Sequence, residues 1–344
     1  MDAKINRQWI VVTPPEGSVG ESNFRWAESP IPSPGPGQAL VRNLWLSLDP
    51  TQVLIIERPG QPGAVALGTP MRGLAVSEVL ESHHPEFKPG DLLHGYSGWE
   101  DYSLTEGHGY FETTKVPPGV APRLALGTLG VTGMVAYFGM EEIGRPVSGE
   151  TCVVSAAAGG VGSIACQIAK IHGLRVIGIA GGPAKCSWLV GEAGLDAAID
   201  HRTEDVAARL DALCPDGIDI YFDNVGGPML DMALARLRSK GRVVLCGLTS
   251  WYLEKEQPPG PTGYGSLIMR NGRMEGLLGK DYAPRFPEAM PVLQEWLASG
   301  RLKSKEDVLE GLESAPRALS RMFSGENVGK QLVRIADPSP VGSK

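Results

Sequence analysis

One stretch constrains this chain more than any other. Ser155-Ala156-Ala157-Ala158-Gly159-Gly160-Val161-Gly162 lies between an apolar segment, Thr151-Cys152-Val153-Val154, and a helix-like run. On that run apolar residues fall at 161, 164, 165, 168 and 169, the spacing of one buried helical face. A glycine-rich turn from strand to helix aims backbone N–H groups and the positive helix end at an anion. Small residues are needed there because a Cβ would block the approach of ligand to backbone and of helix to sheet. A glycine-rich turn alone is weak evidence. In the order strand, turn, helix, second strand it is the fingerprint of a dinucleotide's pyrophosphate site.

The second strand bears on which dinucleotide. Leu174-Arg175-Val176-Ile177-Gly178-Ile179-Ala180 runs into Gly181-Gly182-Pro183-Ala184-Lys185, with no acid until Glu192. A site for NAD normally ends this strand in Asp or Glu, which binds the ribose 2′-hydroxyl. A carboxylate would repel a 2′-phosphate, whereas the Lys185 ammonium attracts it as a point charge. The pattern predicts NADP(H). Lys185 as a plain solvated side chain on the first turn of a helix stays open as the alternative.

The rest of the chain divides by rhythm, and 344 residues exceed a single core's usual reach. Short apolar or alternating runs at Trp9–Val12, Ala39–Leu46, Gly73–Leu80, Asp91–Tyr96 and Trp99–Leu104 are separated by Pro/Gly turns. They predict a β-rich domain, a small barrel, over 1–128. From 129 strands near 151–155, 174–180, 197–199, 218–222, 242–247 and 274–278 alternate with helical periods such as Leu230, Ala233, Leu234 and Leu237. Six strands in this rhythm predict a doubly wound parallel sheet over 129–305. A last helix near Glu288–Ser299 leads to a tail, 306–344, expected to pack back on the first domain.

Net charge −7 argues against a nucleic-acid surface. No apolar run reaches membrane-span length and the N-terminus lacks a signal-like apolar core, so a cytoplasmic protein is expected. The five cysteines, at 152, 166, 186, 214 and 246, are scattered and contain no CxxC pair. They are expected to be free thiols packed as small hydrophobes.

Several motifs in this order carry a family resemblance. The Lys88-Pro89-Gly90-Asp91 turn and Ala156-x-x-Gly159-x-x-Gly162 resemble the medium-chain dehydrogenase/reductase superfamily. Gly130-Val131-Thr132-Gly133-Met134-Val135-Ala136-Tyr137-Phe138-Gly139, Asp223-Asn224-Val225-Gly226-Gly227 and Asn327-Val328-Gly329-Lys330 are similar to its zinc-independent branch of alkenal, prostaglandin and curcumin reductases. The resemblance implies a Rossmann sheet, a GroES-like barrel, NADP(H) and a homodimer. It implies that Gly160, Val161, Gly162 and Ser163 hold the pyrophosphate, and that Lys185 and His201 meet the 2′-phosphate. Asn224 and Asn327 would meet ribose and phosphate oxygens. Cys246, Gly247, Leu248, Thr249, Ser250 and Tyr252 would wall the nicotinamide, with Leu277, Leu278 and Gly279 at its far edge. One departure concerns Asp49-Pro50-Thr51-Gln52, which runs into the apolar Val53-Leu54-Ile55-Ile56 where relatives carry a short Arg-Gly motif.

The chemistry expected needs no metal. Zinc wants about four N, S or O ligands, and the barrel half contains no cysteine. Reduction of a C=C conjugated to a carbonyl places charge on the enolate oxygen, which a few hydrogen-bond donors can meet. Tyr252, at the mouth-side end of the fifth strand, is the candidate catalytic residue, with a covering role for its ring as the alternative. Tyr96, Trp99 and Leu278 are candidates for the substrate pocket, although Trp99 suits a core position equally well. The substrate expected is a small apolar α,β-unsaturated carbonyl. A quinone reductase and a non-catalytic nucleotide-binding protein are the other readings.

Overall fold

The computed structural model describes residues 5–56, 63–256 and 258–339. They form two compact units. One takes the described residues of Met1–Leu126, Glu306–Asn327 and Gln331–Lys344, and the other those of Gly127–Lys305 with Val328–Lys330.

The second unit is built on six parallel strands. Their spatial order is Ala197–Asp200, Arg175–Ala180, Thr151–Val154, Ile218–Asp223, Leu237–Leu245, Arg273–Gly276. Chain order reverses between Thr151–Val154 and Ile218–Asp223, which makes the crevice there the switch point of a doubly wound sheet. The central strands are apolar on both faces because helices cover both, and Ile218–Asp223 is buried at every position. The helix Gly160–Ile171 buries Ile164, Ala165, Ile168 and Ala169 as its spacing requires, and Cys166 and Gln167 besides.

Leu237 departs from expectation. The preceding helix stops at Leu234, and Leu237 opens the fifth strand. It still joins the cluster of Leu230, Ala233 and Leu234, so the helical spacing of apolar residues carries on across the break. The pattern records burial in a common core, and here that core is reached from two different elements.

The first unit is built largely of antiparallel pairs. Glu306–Glu310, Lys330–Arg334, Ala39–Ser47, Arg72–Ser82, Leu92–Gly98 and Thr114–Lys115 lie side by side, with Tyr102–Thr105 also on Ala39–Ser47. Ile5–Val11 pairs with Phe24–Pro30 in a separate ribbon. Phe24–Pro30 has no counterpart among the expected strands, because only Phe24 in it is buried and no apolar alternation marks it. The polar Asn43 inside Ala39–Ser47 is fully buried and satisfied: Ser77 Oγ and Ser97 Oγ donate to its Oδ1 at 2.6 and 2.7 Å. The tail is tied into this unit by side chains. Trp9 Nε1 donates to the Leu312 carbonyl at 3.0 Å and Arg321 pairs with Asp307 at 3.0 Å. Among the described residues no helix is long and apolar enough to cross a membrane.

Close backbone approach fixes the helix Val131–Phe138 ahead of the first parallel strand. A Cβ at Gly133 would strike the Thr128 carbonyl oxygen and lie 2.6 Å from its carbonyl carbon. Gly133→Ala should therefore cost ~1–3 kcal/mol through overpacking, read as a lower Tm by calorimetry. Gly191, at the end of the helix Pro183–Gly191, has nothing within 4 Å of its Cβ position, so Gly191→Ala should gain ~0.5–1 kcal/mol. Equal shifts in the two variants would refute the close-approach account.

Candidate active site

The site of the second unit is assembled from strand ends. The first strand ends at Val154 and its turn is set by backbone contact: Ala156 takes φ +46°, and a Cβ on Gly162 would strike the Ala156 carbonyl oxygen. Gly162 is thus required by the turn's own packing. At Gly159 the Ala156 carbonyl oxygen, at 3.2 Å, is the sole neighbour of a Cβ position, which leaves the cradle open on its outer side. Ser163 is buried and its Oγ donates to the Gly160 carbonyl at 3.2 Å, so the hydroxyl is used within the turn. The helix Gly160–Ile171 has no side-chain cap at Gly159, and its first N–H groups remain available to an anion. These residues fit a dinucleotide's diphosphate.

A buried carboxylate organises the neighbouring turn. Asp223, fully buried at the end of the fourth strand, accepts from Ser155 Oγ at 2.9 Å and Tyr221 hydroxyl at 3.2 Å. It also accepts from the N–H groups of Val225 and Gly226, each at 3.1 Å. Burial pushes its pKa up, and the donors from Gly226, Val225, Ser155 and Tyr221 pull it back. Asn224 N–H donates to Ser155 Oγ and its side-chain amide to the Ser155 carbonyl, at 2.9 and 2.7 Å. The amide expected to face ribose is thus engaged inside the protein, where it clamps two strand ends together. Neither Asp223 nor Ser155 was among the expected site residues. Their signal was the Asp of Asp-Asn-Val-Gly-Gly and the serine closing the first strand.

The loop after the fifth strand is fastened to that turn. Cys246 and Gly247 donate from N–H to the Asp223 carbonyl at 2.9 and 3.0 Å. Thr249 Oγ1 and Ser250 Oγ donate to the Asn224 and Val225 carbonyls at 3.1 and 2.6 Å. Burial pushes the Cys246 thiol up to about 12, so it stays neutral. At the loop's end the half-buried Tyr252 accepts the Leu248 N–H on its hydroxyl oxygen at 3.1 Å. That leaves the hydroxyl proton available for donation. Burial raises the Tyr252 pKa above its ordinary value. Beyond the sixth strand Leu277 N–H bonds to the Leu245 carbonyl at 2.9 Å, and Leu278 stands 54% exposed at the same sheet end.

A basic corner closes the second strand. A Cβ on Gly181 would lie 2.9 Å from both Arg202 Nε and His201 Nε2, and Gly182 takes φ +94°. Lys185 sits in the first turn of the helix that follows, Pro183–Gly191. The acid nearby, Asp200, turns its carboxylate onto the Gly182 and Arg202 N–H groups at 2.8 and 3.0 Å. Those backbone donors hold it below the usual carboxylate range, and it organises the corner's backbone. Arg202 was not among the expected residues, although it follows His201 directly.

The candidates of the first unit resolve differently. Trp99 is fully buried, its ring 5.2 Å from that of Phe24, and its backbone pairs with Trp9 and Met71. It is a core residue, which corrects the expected pocket role. Tyr96 lines a cavity of about 10 Å³ with Val41, Ser77, Leu93, Gly95, Ser97, Thr105 and Thr113, room for no more than one water. Asn327 is buried directly before Val328–Lys330. Among the described residues no group of three or more His, Cys, Asp or Glu is placed to hold a metal ion.

Two family models match the chain. One describes the N-terminal domain of oxidoreductase, over residues 7–113, and the other a zinc-binding dehydrogenase, over 160–295. The donor set does not fit the zinc of the second description, since all five cysteines lie beyond residue 150 and are dispersed. The chain is 38% identical over 337 residues to the NADPH-dependent curcumin reductase of Escherichia coli (strain K12), covering 96% of this chain and 97% of that one. It is 41% identical over 307 residues to the 2-alkenal reductase (NADP(+)-dependent) of Nicotiana tabacum, covering 88% of each. The solved structure of CurA in complex with NADPH from Vibrio vulnificus superposes with TM-score 0.88 at 38% identity, covering 96% of this chain and 100% of that one.

The basic corner predicts selectivity for a 2′-phosphorylated dinucleotide. Lys185→Ala and Arg202→Ala should each weaken NADPH by about tenfold and leave NADH within about twofold, by fluorescence titration. Equal losses for both dinucleotides would remove the two residues from that role.

Proposed function

The chain belongs to the zinc-independent branch of the medium-chain dehydrogenase/reductase superfamily that holds the alkenal, curcumin and prostaglandin reductases, and on that premise we propose that it reduces the C=C bond of apolar α,β-unsaturated ketones and aldehydes. It is an NADPH-dependent reductase. Bound NADPH would supply the hydride, which in this chemistry goes to the β-carbon, and the α-carbon takes a proton from a tyrosine or from water.

The chain's own residues account for the rest. Gly159 to Ser163 present the open cradle and helix end that take the diphosphate, and Lys185 with Arg202 and His201 takes the 2′-phosphate. Negative charge then grows on the substrate's carbonyl oxygen. A donor aimed there lowers the barrier most if it is already held in place and protonated. Tyr252 meets both conditions: the Leu248 N–H fixes its oxygen at 3.1 Å, and burial keeps its proton on through neutral pH. This arrangement is the observation that carries the enone reading. Cys246 beside it, pushed up to about 12, supplies no thiolate, so covalent addition of the protein to the electrophilic substrate is disfavoured.

The enzyme, treated with chelator and given NADPH, should convert enones and enals to saturated carbonyl products. Turnover restricted to quinones would overturn the enone reading. Tyr252→Phe should lower kcat/KM on enones roughly 10²-fold with the Kd for NADPH unchanged. Because burial raises the tyrosine's pKa, its hydroxyl stays protonated below the ordinary tyrosine value. The wild-type kcat/KM profile should therefore show no alkaline loss from this group below about pH 10. An unchanged kcat/KM in Tyr252→Phe would remove the residue from catalysis.

A further inference from the structure

We infer that Thr249 and Ser250 are positioning residues for enone reduction: their hydroxyls pin the loop that carries Tyr252, and so hold its hydroxyl where it can donate. This rests on the catalytic reading of Tyr252, which Tyr252→Phe tests by itself. The bond that orients the tyrosine lies inside the loop. Leu248 N–H donates to the Tyr252 hydroxyl oxygen at 3.1 Å, and Trp251 N–H closes a tight turn on the Leu248 carbonyl at 2.8 Å. Those two contacts give this end of the loop its shape. They do not fix where it stands on the sheet.

Its place is set from outside, by two carbonyls of the turn after the fourth strand. The Asn224 carbonyl accepts from Thr249 twice, from N–H at 3.3 Å and from Oγ1 at 3.1 Å. The Val225 carbonyl accepts from Ser250 in the same way, from N–H at 3.1 Å and from Oγ at 2.6 Å. In each pair the hydroxyl contact is the shorter. A carbonyl oxygen only accepts, so each hydroxyl spends its one proton there and has none left to donate to a ligand. Two glycines make room for the docking. Gly226 and Gly227 take φ +74° and +56°, and a Cβ on Gly226 would lie 2.8 Å from Leu248 Cδ2, one on Gly227 3.2 Å from Ser250 Oγ. Thr249 is half-buried and Ser250 exposed, so loss of either hydroxyl opens no core cavity. Charge on the substrate oxygen grows only toward the transition state, so a displaced donor is felt in kcat rather than in binding.

Thr249→Val keeps the side chain's shape and removes the hydroxyl, whereas Thr249→Ser keeps the hydroxyl. Thr249→Val and Ser250→Ala should each lower kcat on an enone about fivefold, with the enone KM and the NADPH Kd within about twofold of wild type. Thr249→Ser should stay within about twofold throughout. In a Tyr252→Phe background the same losses should vanish, because the donor that the pins place is gone. Equal losses in both backgrounds, equal losses in the Val and Ser variants, or a loss carried by the NADPH Kd would each overturn the inference. Tyr252→Phe without loss would overturn the tyrosine reading and this inference with it; a loss there, with none in Thr249→Val or Ser250→Ala, would overturn this inference alone. A second readout needs no turnover. In the protein without substrate, amides of 248–252 should exchange faster with solvent in Ser250→Ala, by hydrogen-exchange mass spectrometry, and unchanged exchange would refute the pinning.

Discussion

The site depends on one buried carboxylate. Asp223 has no solvent exposure, and an unpartnered charge there would cost several kcal/mol. Its partners are what remove that cost, and every one of them belongs to a segment the site needs in place. Ser155 ends the first strand, Tyr221 lies in the fourth, and Val225 and Gly226 form the turn. The same residue's backbone carbonyl accepts from Cys246 and Gly247, which begin the wall loop. Three strand ends are thereby locked to one point. Tyr252 inherits its position through this chain of fixed segments, by way of Thr249 and Ser250 on the turn's carbonyls.

A second carboxylate does a comparable task at the corner of the sheet, with the opposite electrostatic context. Asp200 is buried beside His201 and Arg202, and an acid there could oppose a phosphate. Its oxygen Oδ1 instead accepts two backbone N–H groups, which match its charge within the turn. Matching an ionised acid with backbone donors is how a strand can end in Asp-His-Arg and still be compatible with a 2′-phosphate.

The sequence carried the α/β half well because its signals are local. The turn Ser155–Gly162, the apolar strands and Lys185 all lie within short windows, and periodicity reads such windows directly. Where it failed, the deciding contact lay elsewhere in the chain. Phe24–Pro30 is a strand because Ile5–Val11 pairs with it, and its own residues show no alternation. Trp99 is core because Phe24 packs against it, a contact across 75 positions of chain. Arg202 was passed over beside His201 because only the fold shows which neighbours face Gly181. Asp223 stood inside the motif whose asparagine is the expected cofactor contact, and its own place in the turn shows only in partners distant in the chain.

The same reasoning explains why the far end of the chain belongs to the nucleotide unit for only three residues. Val328–Lys330 leave their neighbours on both sides to join it. Backbone hydrogen bonds from Gly329 to Ala158 and from Lys330 to Lys305 are among the contacts that secure so short an excursion. Each is worth about 1 kcal/mol net, and Gly329 pays for its positive φ with extra freedom in the unfolded chain.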